Sequence, residues 1–497
     1  MHWKPWLSFL AALSGLMVVI SGFWWHRPAG LSEEGALADA EPGVSAVNDV
    51  RRQDGKASPP SPASIEGGAS VAGVAADPLY ALSPRYGFIP FLADGSPAQL
   101  AAEFHHVAVG DVTGDGRDDL VSLGTTEDPG LGMLYVFPQS AAGTLLSPVR
   151  YELEDGDAIL GLSLADMDGD GTSDVIVTRG QGVEILMGDT RAAVVRRVHS
   201  MAADGLEPSF PAVSFDVDLD GAMDLVLHLQ VTHAATSDMT LDRRSRFRVL
   251  YGDGAGSVSH TADFGHFGVE TGDYGHYDSD KVTSLAVADV NGDGLPDLVT
   301  VSRKFVFVEQ SNPPYLSLYL SEGIGQFAEA HEIALGDWGA ESIAAGDFSG
   351  DGLVDLALAN SWPGPLNIVT QKRSGFALPP DYSRTRLGFT VPMQAVDLDG
   401  DGRLDLLMGH SVSGAVSHYL QKDGTLGEAI VTGLPNFTGV PVPGEISTSG
   451  VATGDLNSDG CRDVAVAASF SGLHVLLGSN CRPLRAHGGR GYRWRRP

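Results

Sequence analysis

Cysteine is almost missing from this chain: two residues in 497, Cys461 and Cys481. A disulfide-dense scaffold is therefore excluded, and at most one intrachain bridge, Cys461 to Cys481, can form. Positive charge is scarce as well. Lys and Arg number 32 against 63 Asp and Glu, a formal net charge of -31, which argues against duplex nucleic acid as a partner. Neither H-E-x-x-H, a nucleophile elbow nor a P-loop occurs, so no catalytic motif announces an enzyme. Gly-x-Gly segments sit between strand-like stretches and not ahead of helices, so they do not indicate phosphate binding.

Long apolar runs are also few. One stands out at 6–25, twenty residues without a charge, flanked by Lys4 and Arg27 and carrying Trp6, Trp24 and Trp25 near its ends. That length suits a membrane span better than the 7 to 15 residues of a usual signal-peptide core. Residues 1–27 are read as a signal anchor, or as a signal peptide if cleaved. Either way the rest of the chain is expected outside the cytoplasm, membrane-anchored or secreted. Residues 28–78 are Ala, Gly, Ser and Pro-rich with almost no large apolar side chains; they read as a disordered linker. Residues 482–497 hold six arginines with Tyr492 and Trp494 and no alternating pattern, a basic disordered tail.

Glycine and aspartate, in contrast, abound. The 63 Gly are nearly twice the roughly 7% average, and they share a nine-residue loop with Asp. Its clearest copy is Asp397-Leu-Asp-Gly-Asp-Gly-Arg-Leu-Asp405, and seven copies start at Asp111, Asp166, Asp216, Asp289, Asp347, Asp397 and Asp455. Positions 1, 5, 6 and 9 are Asp, Asp, Gly and Asp in all seven. So many carboxylates in so short a loop repel unless they share a cation. Calcium, which takes six to eight oxygens at roughly 2.3 to 2.6 Å, fits best. Positions 1, 3 and 5 match the start of an EF-hand loop, but no Glu follows at position 12.

The candidate ligands are Asp111, Thr113, Asp115 and Asp119 in loop one; Asp166, Asp168, Asp170 and Asp174 in loop two; and Asp216, Asp218, Asp220 and Asp224 in loop three. Loop four offers Asp289, Asn291, Asp293 and Asp297, and loop five Asp347, Ser349, Asp351 and Asp355. Loop six has Asp397, Asp399, Asp401 and Asp405, and loop seven Asp455, Asn457, Asp459 and Asp463. Loops two, three and six alone carry a fourth carboxylate, at position 3, and rank highest for affinity. Together the loops account for 24 of the 63 acids, and seven calcium ions would bring the charge of -31 to -17. Position 4 is Gly except for Leu219 and Ser458.

Each loop follows a short segment of small residues, such as Val107-Ala-Val-Gly110, and precedes an apolar run, such as Asp224-Leu-Val-Leu227. Two further alternating segments complete each repeat. Four antiparallel strands per repeat describe an all-β, seven-bladed β-propeller over 79–481. The last repeat lacks a fourth strand of its own, and 87–92 is expected to supply it, leaving no open edge.

These loops resemble FG-GAP or VCBS repeats, which form the integrin alpha-subunit N-terminal propeller and many bacterial surface proteins. The resemblance implies a seven-bladed propeller with calcium, up to seven ions, between strands one and two of each blade. It implies little about function.

The irregular insertions lie at the end of the blades opposite the Asp loops. They are 228–248 with Arg243, Arg244 and Arg246; the crossover 263–281 with His266, Tyr274, His276 and Tyr277; and 304–314. Binding residues concentrate on loops held by a rigid scaffold, so these form the expected ligand surface. The favoured function is a non-enzymatic binding or adhesion module for a protein or glycan. The alternative is a calcium-dependent lyase or hydrolase acting on polysaccharide, with its site at the central channel.

Overall fold

The computed structural model describes residues 80–82, 103–125, 132–153, 159–188, 196–201, 206–230, 245–267, 278–306, 314–323, 325–336, 340–360, 365–372, 375–376, 380–384, 390–410, 414–434, 447–469, 472–479 and 481–482. All belong to one compact unit, 77–497. Every named element in them is a β-strand.

The strands form seven sheets of four or five strands, one per repeat, and two small hairpins, Gln371–Lys372 with Gly375–Phe376 and Gln421–Lys422 with Thr425–Leu426. Blade one is Glu103–Gly110, Asp119–Thr125, Gly132–Phe137 and Val149–Glu152; blade two is Ile159–Ala165, Asp174–Arg179, Gly182–Met187 and Arg196–Met201. Blade three starts with a broken strand, Glu207–Pro208 and Val213–Phe215, both paired with Asp224–Gln230, and goes on with Ser245–Gly252 and Val258–Phe267. Pro208 and Pro211 flank the break and have no N–H to give a ladder. Blade four is Asp278–Ala288, Asp297–Val306, Pro314–Tyr319 and His331–Ala334; blade five is Ser342–Gly346, Asp355–Ala359, Leu366–Val369 and Tyr382–Arg384. Blade six is Thr390–Val396, Asp405–His410, Ala415–Tyr419 and Ile430–Gly433, and blade seven holds Ser447–Gly454, Asp463–Ser469 and Gly472–Gly478.

Alternate residues of a second strand serve different interfaces, which is why those strands read as unbroken apolar runs. In blade seven, Val464, Val466 and Ala468 pack with Leu407 and Val416 of blade six. Ala465 and Ala467 pack the other way, with Leu120 and Tyr135 of blade one. The buried apolar residues form seven such clusters, one between each pair of neighbouring blades. Because blade seven meets blade one, the ring is closed and each blade needs only its neighbours. Fourth strands are far more exposed than second and third strands, as in Val149–Glu152 and Ile430–Gly433. Small residues on first strands answer to crowding by the next blade: a Cβ on Gly454 would lie 2.3 Å from Val109 Cγ1.

Two expectations need amendment. The strand beside Gly472–Gly478 is Tyr80–Leu82, antiparallel, with Tyr80 opposite Gly478; the expected segment 87–92 lies outside the described residues. The single N-terminal membrane span is not supported: among the described residues no helix is long and apolar enough to cross a membrane. The run 6–25 and the linker 28–78 lie outside the described residues.

Candidate metal centres

Each Asp loop is the connection of a hairpin whose register is the same in all blades. The residue before position 1 faces position 9 across the ladder: Gly110 and Asp119, Ala165 and Asp174, Phe215 and Asp224, Ala288 and Asp297, Gly346 and Asp355, Val396 and Asp405, Gly454 and Asp463. Position 9 therefore opens the second strand, while positions 1 to 8 arch over it.

Loop six shows how the arch is held. Asp397 Oδ1 accepts the N–H groups of Gly400 (2.8 Å) and Asp401 (3.1 Å), and its Oδ2 accepts that of Gly402 (2.9 Å). Asp399 Oδ1 accepts Asp401 N–H at 3.1 Å, and Asp401 Oδ1 accepts Arg403 N–H at 2.9 Å. These are Asx-type turns that rely on short acidic side chains. Positions 4 and 6 are left-handed, as at Gly400 (φ 75°) and Gly402 (φ 90°).

Leu219 (φ 61°) and Ser458 (φ 59°) hold the same left-handed backbone at position 4 without being glycine. For a bulky L-residue this costs about 1 to 2 kcal/mol, partly offset by a stiffer unfolded chain. Leu219→Gly is expected to stabilise the protein by about 0.5 to 1 kcal/mol in urea unfolding; a destabilised variant would show that the Leu219 side chain matters more than its strain.

Position 9 differs in kind from the others. All seven of these aspartates are at most 1% exposed. One oxygen of each accepts a backbone N–H from the end of the third strand of its blade or just past it, from Gln139, Gly188, Gly252, Ser321, Gln371, Gln421 and Gly478 in turn, at 2.7–2.9 Å. The other accepts a loop N–H from position 2 or 3, as from Met167 at 2.8 Å and Leu398 at 2.9 Å. Position 9 is thus a buried bracket as well as a candidate ligand, and its oxygens keep lone pairs for a cation. Burial pushes these carboxyls up, to about 6 at Asp174 and Asp297 and about 7 at Asp224, Asp405 and Asp463, against the lowering effect of the N–H donors. The acids at positions 1 and 3 or 5 add to the rise. Asp119 and Asp355 are raised too, by burial, with the Thr113 and Ser349 hydroxyls beside them acting in the opposite sense.

Three groups of carboxylates converge: Asp166, Asp168 and Asp174; Asp216, Asp218 and Asp224; Asp397, Asp399 and Asp405, each with ligand oxygens within 4.8 Å of one another. Oxygens on opposite sides of one calcium ion are about 5 Å apart, so these groups fit that cation in size and in donor type. They belong to loops two, three and six, the loops with Asp at position 3. The position-5 aspartates are not members of these groups. Each spends Oδ1 on the position-7 N–H, as Asp170 does on Thr172 (2.7 Å). Arg117 and Arg403, at position 7, also pair with Asp115 and Asp401. In loops four and seven the Asn291 and Asn457 amides donate to Asp293 and Asp459 at 2.8 and 2.9 Å.

Sequence reasoning missed the residues that tie one loop to the next blade. Gln139, Gln371 and Gln421 each give their backbone N–H to the position-9 carboxylate of their own blade. Their amides reach a loop carbonyl of the preceding blade, that of Asp455, Val290 and Asp347 respectively. At the seven-to-one junction Asp118 Oδ2 also accepts Asp455 N–H at 2.8 Å. A Gln recurring 16 residues after Asp355 and Asp405 was the available signal.

Of the expected ligand surface, Arg246 is described, and it pairs with Asp263 at 3.0 Å alongside Arg248 at 2.6 Å. It is part of a cross-strand ion cluster. His266 lies on the strand Val258–Phe267. Arg243, Arg244, Tyr274, His276 and Tyr277 lie outside the described residues. Cys461 and Cys481 are disulfide-bonded, with Cα atoms 5.6 Å apart.

A closed seven-bladed propeller with an Asp loop in every blade defines the class of protein. The model of the FG-GAP-like repeat matches 111–177 and 397–466, and that of the FG-GAP repeat matches 282–302. Mouse integrin alpha-IIb is 30% identical over 149 residues, 26% of this chain and 14% of that protein. Human integrin alpha-7 is 27% identical over 146 residues, 27% of this chain and 12% of that protein. Xenopus laevis integrin alpha-5 is 30% identical over 151 residues, 26% and 14%. The matches thus span only 12 to 14% of these relatives' length. Among solved structures, BBS1N in complex with ARL6DN is 12% identical with a TM-score of 0.48, covering 82% of this chain and 99% of that one. The Dos1 propeller is 11% identical with a TM-score of 0.40, covering 76% and 77%. The chain carries FG-GAP repeats in 111–177, 282–302 and 397–466, and it resembles integrin alpha subunits over about a quarter of its length.

Proposed function

We propose that this protein is a calcium-stapled propeller acting as a non-enzymatic binding module for a protein or glycan ligand. Calcium fills loops two, three and six first, where three carboxylates meet. The other loops, with Asn, Thr or Ser at position 3, bind more weakly, to a total of up to seven ions. The same reading gives Tyr80–Leu82, which pairs with Gly472–Gly478, the task of completing blade seven.

The observation that supports a ligand surface away from the loops is the length of the strands in blades three and four. Asp278–Ala288 and Asp297–Val306 run 11 and 10 residues and Val258–Phe267 runs 10, against 5 for both Ser342–Gly346 and Asp355–Ala359. Since every first strand ends at its Asp loop in the same register, the added length of the blade-four pair lies at the opposite end. There 231–244 and 268–277 join these strands. A regular ring with one overgrown sector concentrates its variation where a ligand can be held.

Glycan and peptide arrays probed with the full chain in calcium test this reading. Binding without product formation is expected, and it should vanish when 231–244 and 268–277 are replaced by short Gly-Ser linkers in a protein that still melts normally. Binding unaffected by that replacement would move the ligand elsewhere, and turnover of a bound polysaccharide would end the non-enzymatic reading.

A further inference from the structure

In several blades the turn after the third strand leans on the Asp loop of the preceding blade. The turn of blade one meets loop seven, where a Cβ on Gly143 would lie 2.0 Å from the Asn457 carbonyl oxygen. In blade six, a Cβ on Gly424 would lie 2.9 Å from the Ser349 carbonyl oxygen of loop five. In blade three, Gly256 N–H donates to the Met167 carbonyl of loop two at 3.2 Å. These turns lead directly into a fourth strand of the same repeat, whose ladder holds them.

Blade seven does the same job with different means. Its sheet takes Tyr80–Leu82 beside Gly472–Gly478, so the chain leaving Gly478 does not turn into that ladder. Arg482 nevertheless lies over loop six. Its N–H donates to the Asp399 carbonyl at 2.8 Å, and a Cβ on Gly400 would lie 2.0 Å from its carbonyl oxygen. With Asp399, Asp401, Arg403, Gln421 and Lys422, it lines a cavity of about 370 Å³ beside that loop. The adjacent residue, Cys481, is bonded to Cys461. Cys461 is position 7 of loop seven, and its N–H is fixed by Asp459 Oδ1 at 2.8 Å. A covalent bond to a rigid loop thus replaces the hairpin that serves the other blades.

We propose that the Cys461–Cys481 disulfide is a redox-sensitive clasp that holds Arg482 over loop six, so that its reduction lowers the affinity of loop six for calcium. The proposal rests on the reading of these loops as calcium sites. Asp399 is the position-3 ligand of the loop, and the Arg482 N–H fixes the peptide that carries it. Breaking the bond frees residue 481 from loop seven, leaves that single hydrogen bond to hold Arg482, and lets the position-3 carboxylate wander from the other two. Loops two and three have no link to the disulfide and keep their affinity. With a phosphine reductant the step balances simply: the S–S bond breaks, two thiols form with protons from water, and the phosphine takes the water oxygen and is oxidised.

The test is a calcium titration of the full chain by calorimetry, oxidised and after phosphine reduction, with the Cys461→Ser/Cys481→Ser variant as a reductant-free equivalent. One site is expected to weaken by about fivefold or more, the lower end of ordinary coupling between sites, in both the reduced protein and the variant. In an Asp397→Asn/Asp399→Asn background, which removes loop six, reduction should leave the two remaining tight sites, in loops two and three, unchanged. Identical isotherms before and after reduction overturn the clasp while leaving the calcium reading in place. A weakening that persists without loop six, or one that affects all sites together, also overturns it. An oxidised chain that binds no calcium removes both readings.

Discussion

Chelating divalent cations with EDTA is expected to lower the melting temperature of this protein by about 10 °C. An ion present at about 100 times its dissociation constant stabilises the folded state by about 2.7 kcal/mol, so the three carboxylate groups of loops two, three and six contribute about 8 kcal/mol. Spread over the unfolding entropy of roughly 400 residues, that is a shift on the order of 10 °C. The size of the effect should depend on pH. Without a cation, the position-9 carboxyls that burial raises to about 6 or 7 favour protonation in the folded state. Their contribution is present below the unfolded value near 4 and is lost as pH rises through about 6 to 7. The buried His228 and His418 and the half-buried His106 act in the opposite direction. Desolvation lowers them to about 3, 4 and 4, with His105 adding to the effect at His106. Their contribution is present above about 6.5 and is lost as pH falls through about 4 to 3. The EDTA-treated protein should therefore weaken on both sides, and calcium should remove the loss toward neutral pH. Scanning calorimetry from pH 4 to 8 with and without EDTA checks this; superimposable curves would rule out a structural role for calcium.

Replacing a single position-9 aspartate should cost about as much as losing the metal from one or two loops. Asp405→Ala removes the acceptor of two N–H groups, those of Leu398 and Gln421, in a place only 1% exposed. An unsatisfied buried donor costs about 1 to 3 kcal/mol, so the loss is expected at about 2 to 6 kcal/mol. Much of it should persist in EDTA, because the bracket works without the ion. Asp401→Ala, by contrast, removes a position-5 carboxylate that meets neither the buried bracket nor the converging group, and should cost far less in EDTA. Urea unfolding of both variants, with and without calcium, separates the two roles. An Asp405→Ala protein within 1 kcal/mol of the parent in EDTA would show that position 9 is only a ligand.

The propeller was legible because its cause is local and repeated. A hairpin that must place Asp at positions 1, 5 and 9 and Gly at position 6 leaves the same mark in every blade, and a strand covered on both faces, such as Asp463–Ser469, shows as an apolar run. That carboxylates converge in loops two, three and six was legible for the same reason, since the carboxylate at Asp168, Asp218 or Asp399 is visible without coordinates. What joins one blade to the next was not. Gln421 reads as an ordinary polar residue at the end of a strand; only the stacking of blade six on blade five brings its amide to the Asp347 carbonyl, 74 positions away. The double role of position 9 was hidden too, because its burial and one of its two N–H donors, such as Gln421 for Asp405, come from segments distant in sequence. Tyr80–Leu82 is too short to show an alternating pattern, whereas 87–92 is longer and more apolar. Arg482 looked like the start of a basic tail, yet its backbone lies on Asp399.

Counting calcium ions per chain by native mass spectrometry tests the central claim most directly. At moderate calcium concentrations at least three ions should bind, and Asp168→Ala, Asp218→Ala and Asp399→Ala should each remove one. A chain that binds no calcium, or a count unchanged by all three substitutions, would contradict the reading of these loops as metal-held staples.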